Sequence, residues 1–201
     1  MTGQPIDFYF DFASPYGYLA HLRVDGIAAK HGRSVAWRPY LIGAVFKTEG
    51  TAPLVSYKLK GPYAARDLQR SARLLGLPLQ LPPGFPHGTV AAARAFYWLH
   101  DSNPNQAKAF AKAFYGAYFG AGRDVSAAEA TADVATSVGV DRAGLLDALQ
   151  QPVVKDRLRV ETEAAMARGV FGSPFLIVDG EPFWGADRLE QVNLWLQRGG
   201  W

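Results

Sequence analysis

Hydrophobic and polar positions alternate at the start of the chain and then change to a helical spacing. Aromatic side chains occupy alternate positions of residues 6–12, which predicts a β-strand. Ser14 and Pro15 follow, a preferred helix cap and a preferred first-turn residue, so we expect one helix from there to Gly32. Residues 35–42 are again apolar and predict a second strand. The chain therefore opens as strand, helix, strand.

The middle and the end of the chain follow different patterns. Over residues 53–168, approximately, the spacing of apolar residues is helical, and no strand signal interrupts it. Residues 175–178 predict a buried strand, and Asp179–Gly180 is typical of a hairpin turn. Residues 181–184 predict the partner strand, and residues 187–196 a closing helix.

Cap residues divide the helical stretch. Asn103, which precedes a proline, and Asp141 are predicted to cap the helices that follow them. Ser126 and Glu129 have the spacing of a capping box, which predicts a further helix start at Ser126.

The order β-α-β, helices, β-β-α predicts an α/β fold: a thioredoxin-like sheet with a large all-helical domain inserted between its two halves. Residues 1–43 and 170–201 are expected to form the thioredoxin-like domain and residues 44–169 the inserted helical domain. Because the sheet needs both ends of the chain, we expect one cooperative unit.

Composition narrows the possible functions. None of the 201 residues is cysteine, which excludes disulfides, thiolate zinc sites, iron–sulfur clusters and a dithiol redox centre in this chain. The four histidines have no metal-ligand spacing, so no metal site is predicted. The net charge is +3 with scattered basic residues, which disfavours nucleic acid as a partner. No apolar run approaches the roughly 20 residues that span a bilayer, and no signal peptide is evident. We expect a cytoplasmic protein without a membrane partner.

Ser14 is the first candidate for chemistry. The turn Ser14-Pro15-Tyr16-Gly17 lies where thioredoxin-like oxidoreductases carry Cys-x-x-Cys. Free N–H groups at a helix start stabilise an anion, and a serine hydroxyl there can donate to a thiolate that a ligand brings. This combination points to glutathione. The alternative is an ordinary helix cap, which is the better explanation of Ser14 when that residue is taken alone.

Ser173-Pro174, directly before a predicted strand, is the second candidate. Thioredoxin-like folds place a cis-proline there, facing the start of the first helix. A cis bond would present the backbone N–H and C=O of Ser173 to the cysteinyl backbone of glutathione. The alternative is a simple proline at a strand start.

Taken together, several segments resemble one family. The run Phe8-Tyr9-Phe10-Asp11-Phe12-x-Ser14-Pro15-Tyr16 is similar to the opening of the bacterial 2-hydroxychromene-2-carboxylate isomerases, relatives of kappa-class glutathione transferases in the DsbA-like thioredoxin group. Further matches, in order along the chain, are Gly43-Ala44-Val45-Phe46-Lys47, Tyr63-x-x-Arg66-Asp67-Leu68, Gly169-Val170-Phe171-Gly172-Ser173-Pro174 and Phe183-Trp184-Gly185-Ala186-Asp187-Arg188-Leu189.

The resemblance implies a glutathione site. Ser14 matches the catalytic serine that hydrogen-bonds the glutathione sulfur, and the Ser173 backbone matches the partner of the cysteinyl residue. The segment that binds the γ-glutamyl end matches Trp184, Gly185, Ala186 and Asp187, with Asp187 paired to the α-amino group.

On the substrate side, the resemblance implies that Lys47 binds a carboxylate of the substrate or of the glutathione glycine. Lys60 is a weaker candidate for the same role. Phe85 is expected beside the substrate, and His87 borders the same cleft. Three residues depart from the family pattern: Thr51 replaces an asparagine beside the cofactor, Gly88 an asparagine and Gly17 a serine. We expect these changes to line the substrate side more than the thiol side.

The implied activity is the glutathione-dependent isomerisation of 2-hydroxychromene-2-carboxylate, or a close aromatic-catabolic analogue, to trans-o-hydroxybenzylidenepyruvate by reversible thiolate addition. Two alternatives stay open. One is a kappa-like glutathione transferase or peroxidase with the same site. The other is a non-catalytic thioredoxin-like module that holds glutathione or a peptide. The resemblance also implies a small aromatic substrate and a homodimer.

Overall fold

The computed structural model describes residues 3–201. Its elements, in chain order, are β1 (Ile6–Phe10), α1 (Pro15–His21), α2 (Val24–Lys30), β2 (Val35–Pro39), α3 (Ile42–Glu49), α4 (Lys60–Leu74), α5 (Val90–Ser102), α6 (Pro104–Tyr115), α7 (Ala128–Thr136), α8 (Arg142–Gln150), α9 (Pro152–Ala167), β3 (Phe175–Val178), β4 (Glu181–Trp184) and α10 (Leu189–Arg198). Short 3-10 turns lie at Leu54–Ser56 and Ala186–Arg188, and a π-helical turn at Gly116–Gly120.

The four strands form one mixed sheet in the order β2-β1-β3-β4. β1 pairs parallel with β2 and antiparallel with β3, and β3 pairs antiparallel with β4. The two central strands therefore come from opposite ends of the chain, with the helices α4 to α9 between them in sequence. This arrangement confirms the predicted thioredoxin-like fold.

The aromatic side chains of β1 and the turn after it join the sheet to the helices. Phe8, Phe10 and Phe12 are all buried, and Phe12 packs against Phe114 of α6 with ring centroids 5.0 Å apart. One hydrophobic cluster runs from the sheet through α5 and α6. Burial of large aromatic rings is the dominant stabilising contribution in such a core.

The division into domains 1–43 with 170–201 and 44–169 stays a prediction. The first of its boundaries falls inside α3, which begins at Ile42 and ends at Glu49.

In the first 50 residues the structure differs from the predicted helices at two places. The stretch from Pro15 to Gly32 forms two helices rather than one. The helical spacing of buried positions is interrupted at Leu22, which is 50% exposed, and starts again at Val24. The helix α3 has no counterpart in the predictions.

Of the three caps predicted within the helical stretch, two are confirmed and one is wrong. The Asn103 side chain accepts the N–H of Gln106 at 3.1 Å, and that of Asp141 accepts the N–H of Gly144 at 2.7 Å. Ser126 caps no helix, because its hydroxyl donates to Asp124 and α7 begins only at Ala128.

Candidate active site

A cavity of about 1250 Å³ lies beside the start of α1, bounded by α3, α4, the loop 85–90 and the segments that flank β3 and β4. Of the residues predicted for the site, those that line it are Ser14, Thr51, Lys60, Phe85, Ser173, Trp184, Gly185, Ala186 and Asp187. Lys47 lies exposed on α3 and is not among the lining residues. The structure thus gathers all of the predicted set except Lys47 around one cleft.

Ser14 lies at the N-terminus of α1, and its side chain bridges both halves of the sheet domain. Its Oγ accepts the N–H of Gly17 at 3.0 Å, as an N-cap does, and donates to the backbone carbonyl of Ser173 at 2.8 Å. Both serines are only 8% exposed. The Ser173–Pro174 peptide bond is cis. A buried hydroxyl and a backbone carbonyl therefore meet at the wall of the cleft.

Asp11 supports this pair from behind. Its carboxylate accepts the N–H groups of Ala13 at 2.7 Å and Ile42 at 2.8 Å and the hydroxyl of Thr89 at 3.0 Å. Its own N–H donates to the Ser173 Oγ at 2.8 Å. Burial raises the pKa of Asp11, while the donated hydrogen bonds act in the opposite direction. Asp11 was not among the residues predicted for the site.

Tyr16 is a second residue that the sequence analysis missed. It lines the cavity from the first turn of α1, and its hydroxyl donates to Asp67 Oδ2 of α4 at 2.8 Å. The other carboxylate oxygen of Asp67 binds Arg70. Burial raises the pKa of Tyr16, and the neighbouring Asp67 carboxylate raises it further. Only the side-by-side placement of α1 and α4 reveals this pair, so no local sequence signal could have shown it.

Two aromatic side chains form one rim of the cleft. Trp184 is 57% exposed and packs edge-on against Phe171 with ring centroids 4.8 Å apart. Gly172 lies beneath Trp184 so closely that a Cβ at this position would be 2.0 Å from the indole Nε1. The absence of a side chain at Gly172 therefore sets the position of the Trp184 ring.

Charged groups lie at both ends of the cleft. Near the start of α10, Asp187 pairs with Arg188 at 3.3 Å, and Arg23 pairs with Glu190. On the α4 side, the Lys60 ammonium lies 5.3 Å from the ring centroid of Tyr57. The cleft thus offers both signs of charge around the buried Ser14–Ser173 pair.

The three departures from the family pattern do not share one location. Thr51 and Gly88 line the cavity, and a Cβ at Gly88 would meet no atom within 4 Å. Gly17 does not line it: a Cβ there would lie 2.6 Å from the Tyr115 hydroxyl, which donates to the Asp11 carbonyl. The expectation that Gly17 lines the substrate side was wrong, because Gly17 packs into the core behind Ser14.

His87 lies in the wall of the cleft and is fixed from behind. Its Nδ1 is 2.9 Å from the Tyr118 hydroxyl, which also accepts the His87 backbone N–H at 3.2 Å. Its Nε2 lies 3.5 Å from Asp124. Phe85 packs over the same tyrosine, with ring centroids 6.3 Å apart.

Comparison with known proteins places this site in context. The family model of the DSBA-like thioredoxin domain matches residues 5–197. The chain is 33% identical to a 2-hydroxychromene-2-carboxylate isomerase of Sphingobium xenophagum, covering 96% of this chain and 98% of the relative. It is 26% identical to human glutathione S-transferase kappa 1, over 93% and 88% of the two chains. A solved structure of a 2-hydroxychromene-2-carboxylate isomerase superimposes with a TM-score of 0.88 at 30% identity, over 97% and 95% of the chains.

Residues 3–201 contain neither a helix suited to cross a membrane nor a side-chain cluster suited to hold a metal ion. Within this range no helix has the length and apolar character needed to cross a membrane. The same residues contain no group of three or more His, Asp or Glu side chains placed to hold a metal ion.

Proposed function

Since the chain belongs to the DSBA-like thioredoxin family and, within it, to the 2-hydroxychromene-2-carboxylate isomerases, we propose that it is a glutathione-dependent isomerase. Its reaction is the conversion of 2-hydroxychromene-2-carboxylate, or a close aromatic analogue, to trans-o-hydroxybenzylidenepyruvate. The observation that carries the proposal is the buried Ser14 hydroxyl, which faces the Ser173 carbonyl at 2.8 Å in the wall of a large cleft.

Glutathione, when bound, would supply a thiolate for reversible addition to the conjugated double bond of the substrate, which would permit rotation. The role of Ser14 is to stabilise that thiolate. A free thiol has a pKa of about 8.5, and lowering it by about two units requires roughly 2.7 kcal/mol of preferential stabilisation. Because α1 has only seven residues, the hydroxyl hydrogen bond must provide most of this stabilisation, with the helix end adding less.

The Ser14–Ser173 contact supports an exchange of partners on binding. The Ser14 hydroxyl has one hydrogen to donate, and in this structure the Ser173 carbonyl accepts it. When Ser14 donates to a thiolate instead, the Ser173 carbonyl needs another donor, and the cysteinyl N–H of glutathione is such a donor. The same serine pair therefore suits both the sulfur and the backbone of the cofactor.

The charges of the cleft fit the rest of glutathione. The tripeptide carries one ammonium and two carboxylates. Asp187 suits the ammonium of the γ-glutamyl end, and Lys60, on the α4 side, suits a carboxylate. Lys47 remains a proposed carboxylate ligand only if α3 moves, since it does not line the cleft here.

The size of the cleft suits two ligands. Pockets for one small molecule usually enclose about 300–1,000 Å³. The cavity here encloses about 1250 Å³, so a tripeptide and a bicyclic aromatic acid both find room. Phe85, Thr51 and Gly88 then lie where the aromatic substrate is expected.

The test is a titration of the glutathione thiol in the presence of the protein, followed by the ultraviolet absorbance of the thiolate as pH is varied. The proposal predicts a bound thiol with a depressed pKa and glutathione-dependent isomerisation of 2-hydroxychromene-2-carboxylate. Ser14→Ala should return the pKa of the bound thiol toward about 8.5. Ser137→Ala is the matched control. Ser137 lies at the end of α7, remote from the cleft, and its hydroxyl donates to the backbone carbonyl of Val134. Binding with an unshifted thiol pKa would instead support a non-catalytic module.

The similarity to human glutathione S-transferase kappa 1 favours one second candidate, a kappa-like transferase or peroxidase. It uses the same thiolate against a different electrophile. Activity with a chlorinated aromatic compound or a hydroperoxide, and none with the chromene, would select it.

A further inference from the structure

We infer that Tyr16 and Asp67 form a proton relay that opens the ring of the cyclic substrate before isomerisation. This inference rests on the proposed function and assigns that same site a second chemical task. Ser14 serves the thiolate, whereas the Tyr16–Asp67 pair serves the hydroxyl group of the hemiketal carbon.

The geometry gives Tyr16 an acceptor that faces the cleft side of its helix. Tyr16 and Asp67 both line the cavity, and Tyr16 follows Ser14 by two residues in the first turn of α1. The Tyr16 hydroxyl donates its one hydrogen to Asp67 Oδ2 at 2.8 Å. Its oxygen is then free to accept a hydrogen from a ligand.

The carboxylate behind Tyr16 is held in place. Asp67 Oδ1 binds Arg70, and the Asp67 side chain is 22% exposed while that of Arg70 is 58% exposed. A carboxylate at the end of a two-member hydrogen-bond chain makes Tyr16 a better acceptor, since charge that develops on the phenol oxygen can be passed on. Tyr63 on α4 and Asp187 after β4 lie near enough for their charges to raise the pKa of Tyr16 as well.

Ring opening of a cyclic hemiketal requires such an acceptor. The hydroxyl proton of the substrate moves to Tyr16 Oη while the Tyr16 proton moves to Asp67. The electrons of the broken O–H bond form the new C=O bond, and the bond from that carbon to the ring oxygen breaks, leaving its electron pair on a phenolate. Water then protonates the phenolate, and Asp67 loses its proton to water through Tyr16 and the open cleft, so no oxidant or reductant is needed.

A pair of substrates separates this role from a merely structural one. The cyclic 2-hydroxychromene-2-carboxylate needs ring opening, whereas a cis-o-methoxybenzylidenepyruvate cannot form the ring and needs only isomerisation. For Tyr16→Phe we expect kcat with the cyclic substrate to fall by about 10²-fold, a usual loss for a general base, and kcat with the methoxy compound to stay within about twofold. Asp67→Asn should show the same selectivity, because its amide oxygen still accepts the Tyr16 hydrogen but is a poor base.

Tyr9 provides a control outside the cleft. Tyr9→Phe removes a tyrosine hydroxyl that binds Arg168 away from the cleft, and should alter neither rate. Equal losses on both substrates in Tyr16→Phe, or no loss on either, overturn the relay. A native protein that binds and ionises glutathione but isomerises only the methoxy compound also overturns it. If the native protein isomerises neither compound with glutathione, the proposed function itself fails, and the relay fails with it.

Discussion

Asp11 and Ser173 are 162 positions apart in the chain, yet the Asp11 N–H donates to the Ser173 Oγ at 2.8 Å. Because the Ser173 carbonyl in turn accepts the Ser14 hydroxyl, one serine is held through its side chain and presents its backbone to the cleft. The two arms of the sheet domain are thereby fixed in the register that the site requires. The side chain of Ser173 is thus structural, whereas its carbonyl belongs to the site.

Ser173→Ala should separate these two tasks. Loss of the buried Oγ leaves the Asp11 N–H without its acceptor, and we expect the free energy of unfolding to fall by about 1–3 kcal/mol. The carbonyl remains, so the pKa of bound glutathione should stay depressed. Urea unfolding and the thiolate titration measure the two effects. Ser14→Ala is the counterpart: it should cost about 1 kcal/mol as a lost helix cap but remove most of the pKa shift of bound glutathione. A Ser173→Ala protein of native stability would contradict this assignment.

Gly17 and Tyr115 should be coupled in stability. A Cβ at Gly17 would lie 2.6 Å from the Tyr115 hydroxyl, so Gly17→Ala should destabilise the fold by about 1–3 kcal/mol through overpacking. Tyr115→Phe removes that oxygen and its bond to the Asp11 carbonyl, at a cost of about 1 kcal/mol. In the double variant the clash is gone, so the combined loss should be smaller than the sum. Strict additivity in a urea-unfolding cycle would refute the coupling.

His21 should make the fold sensitive to acid. It is 2% exposed, packs 4.9 Å from the Tyr115 ring, and burial lowers its pKa to about 4. The unfolded imidazole has a pKa of about 6.5, so between these values the unfolded chain binds a proton that the folded chain does not. The stabilisation by neutral His21 is therefore complete above pH 6.5 and is lost as pH falls toward 4. Its full extent is about 3 kcal/mol.

The measurement is urea unfolding at a series of pH values. His21→Phe keeps an aromatic ring but cannot titrate, so it should flatten the slope in this pH window. Phe110→Leu is the control, because it changes another buried ring without removing a titratable group and should leave the slope unchanged. Identical slopes in the native protein and His21→Phe would show that other groups cause the acid sensitivity.

Gly172→Ala should weaken glutathione binding with little loss of stability. The new Cβ would lie 2.0 Å from Trp184 Nε1, but this ring is 57% exposed and can swing away into solvent. We expect the dissociation constant for glutathione to rise by about tenfold, as if one contact of roughly 1.4 kcal/mol were lost. Calorimetry measures the affinity, and tryptophan fluorescence reports the displaced ring. Gly26→Ala, in a helix where a Cβ meets no atom within 4 Å, should change neither.

The elements that sequence could predict are those whose signals are local. Alternating aromatic residues gave the position of β1, and the side chain of Asn103 marked the start of α6. The closeness of Ser14 and Ser173 could be predicted because each lies at a strand or helix end that the order of elements places at one edge of the sheet. The break at Leu22 and the helix α3 carry no strong local signal, so packing decides them.

The rest of the site depends on contacts between distant segments. The Tyr16–Asp67 pair exists only because α4 packs beside α1, and the place of Gly17 is decided by Tyr115 of α6. Lys47 has the charge that a carboxylate needs, but the helix that carries it turns that residue to the exterior. Residue type alone therefore did not predict the orientation of the Lys47 side chain.

The pairing of β1 with β3 has a consequence for biosynthesis. A ribosome makes β1 first, yet its antiparallel neighbour follows only after the helices α4 to α9, and strand pairs of such high sequence separation form slowly. Until β3 emerges, the nascent chain exposes the aromatic side chains of Phe8 and Phe10 on an incompletely paired strand, a surface prone to aggregate and suited to capture by chaperones. A chain that is terminated early therefore cannot form the complete site, since the Ser14 hydroxyl gains its Ser173 partner only near the end of translation.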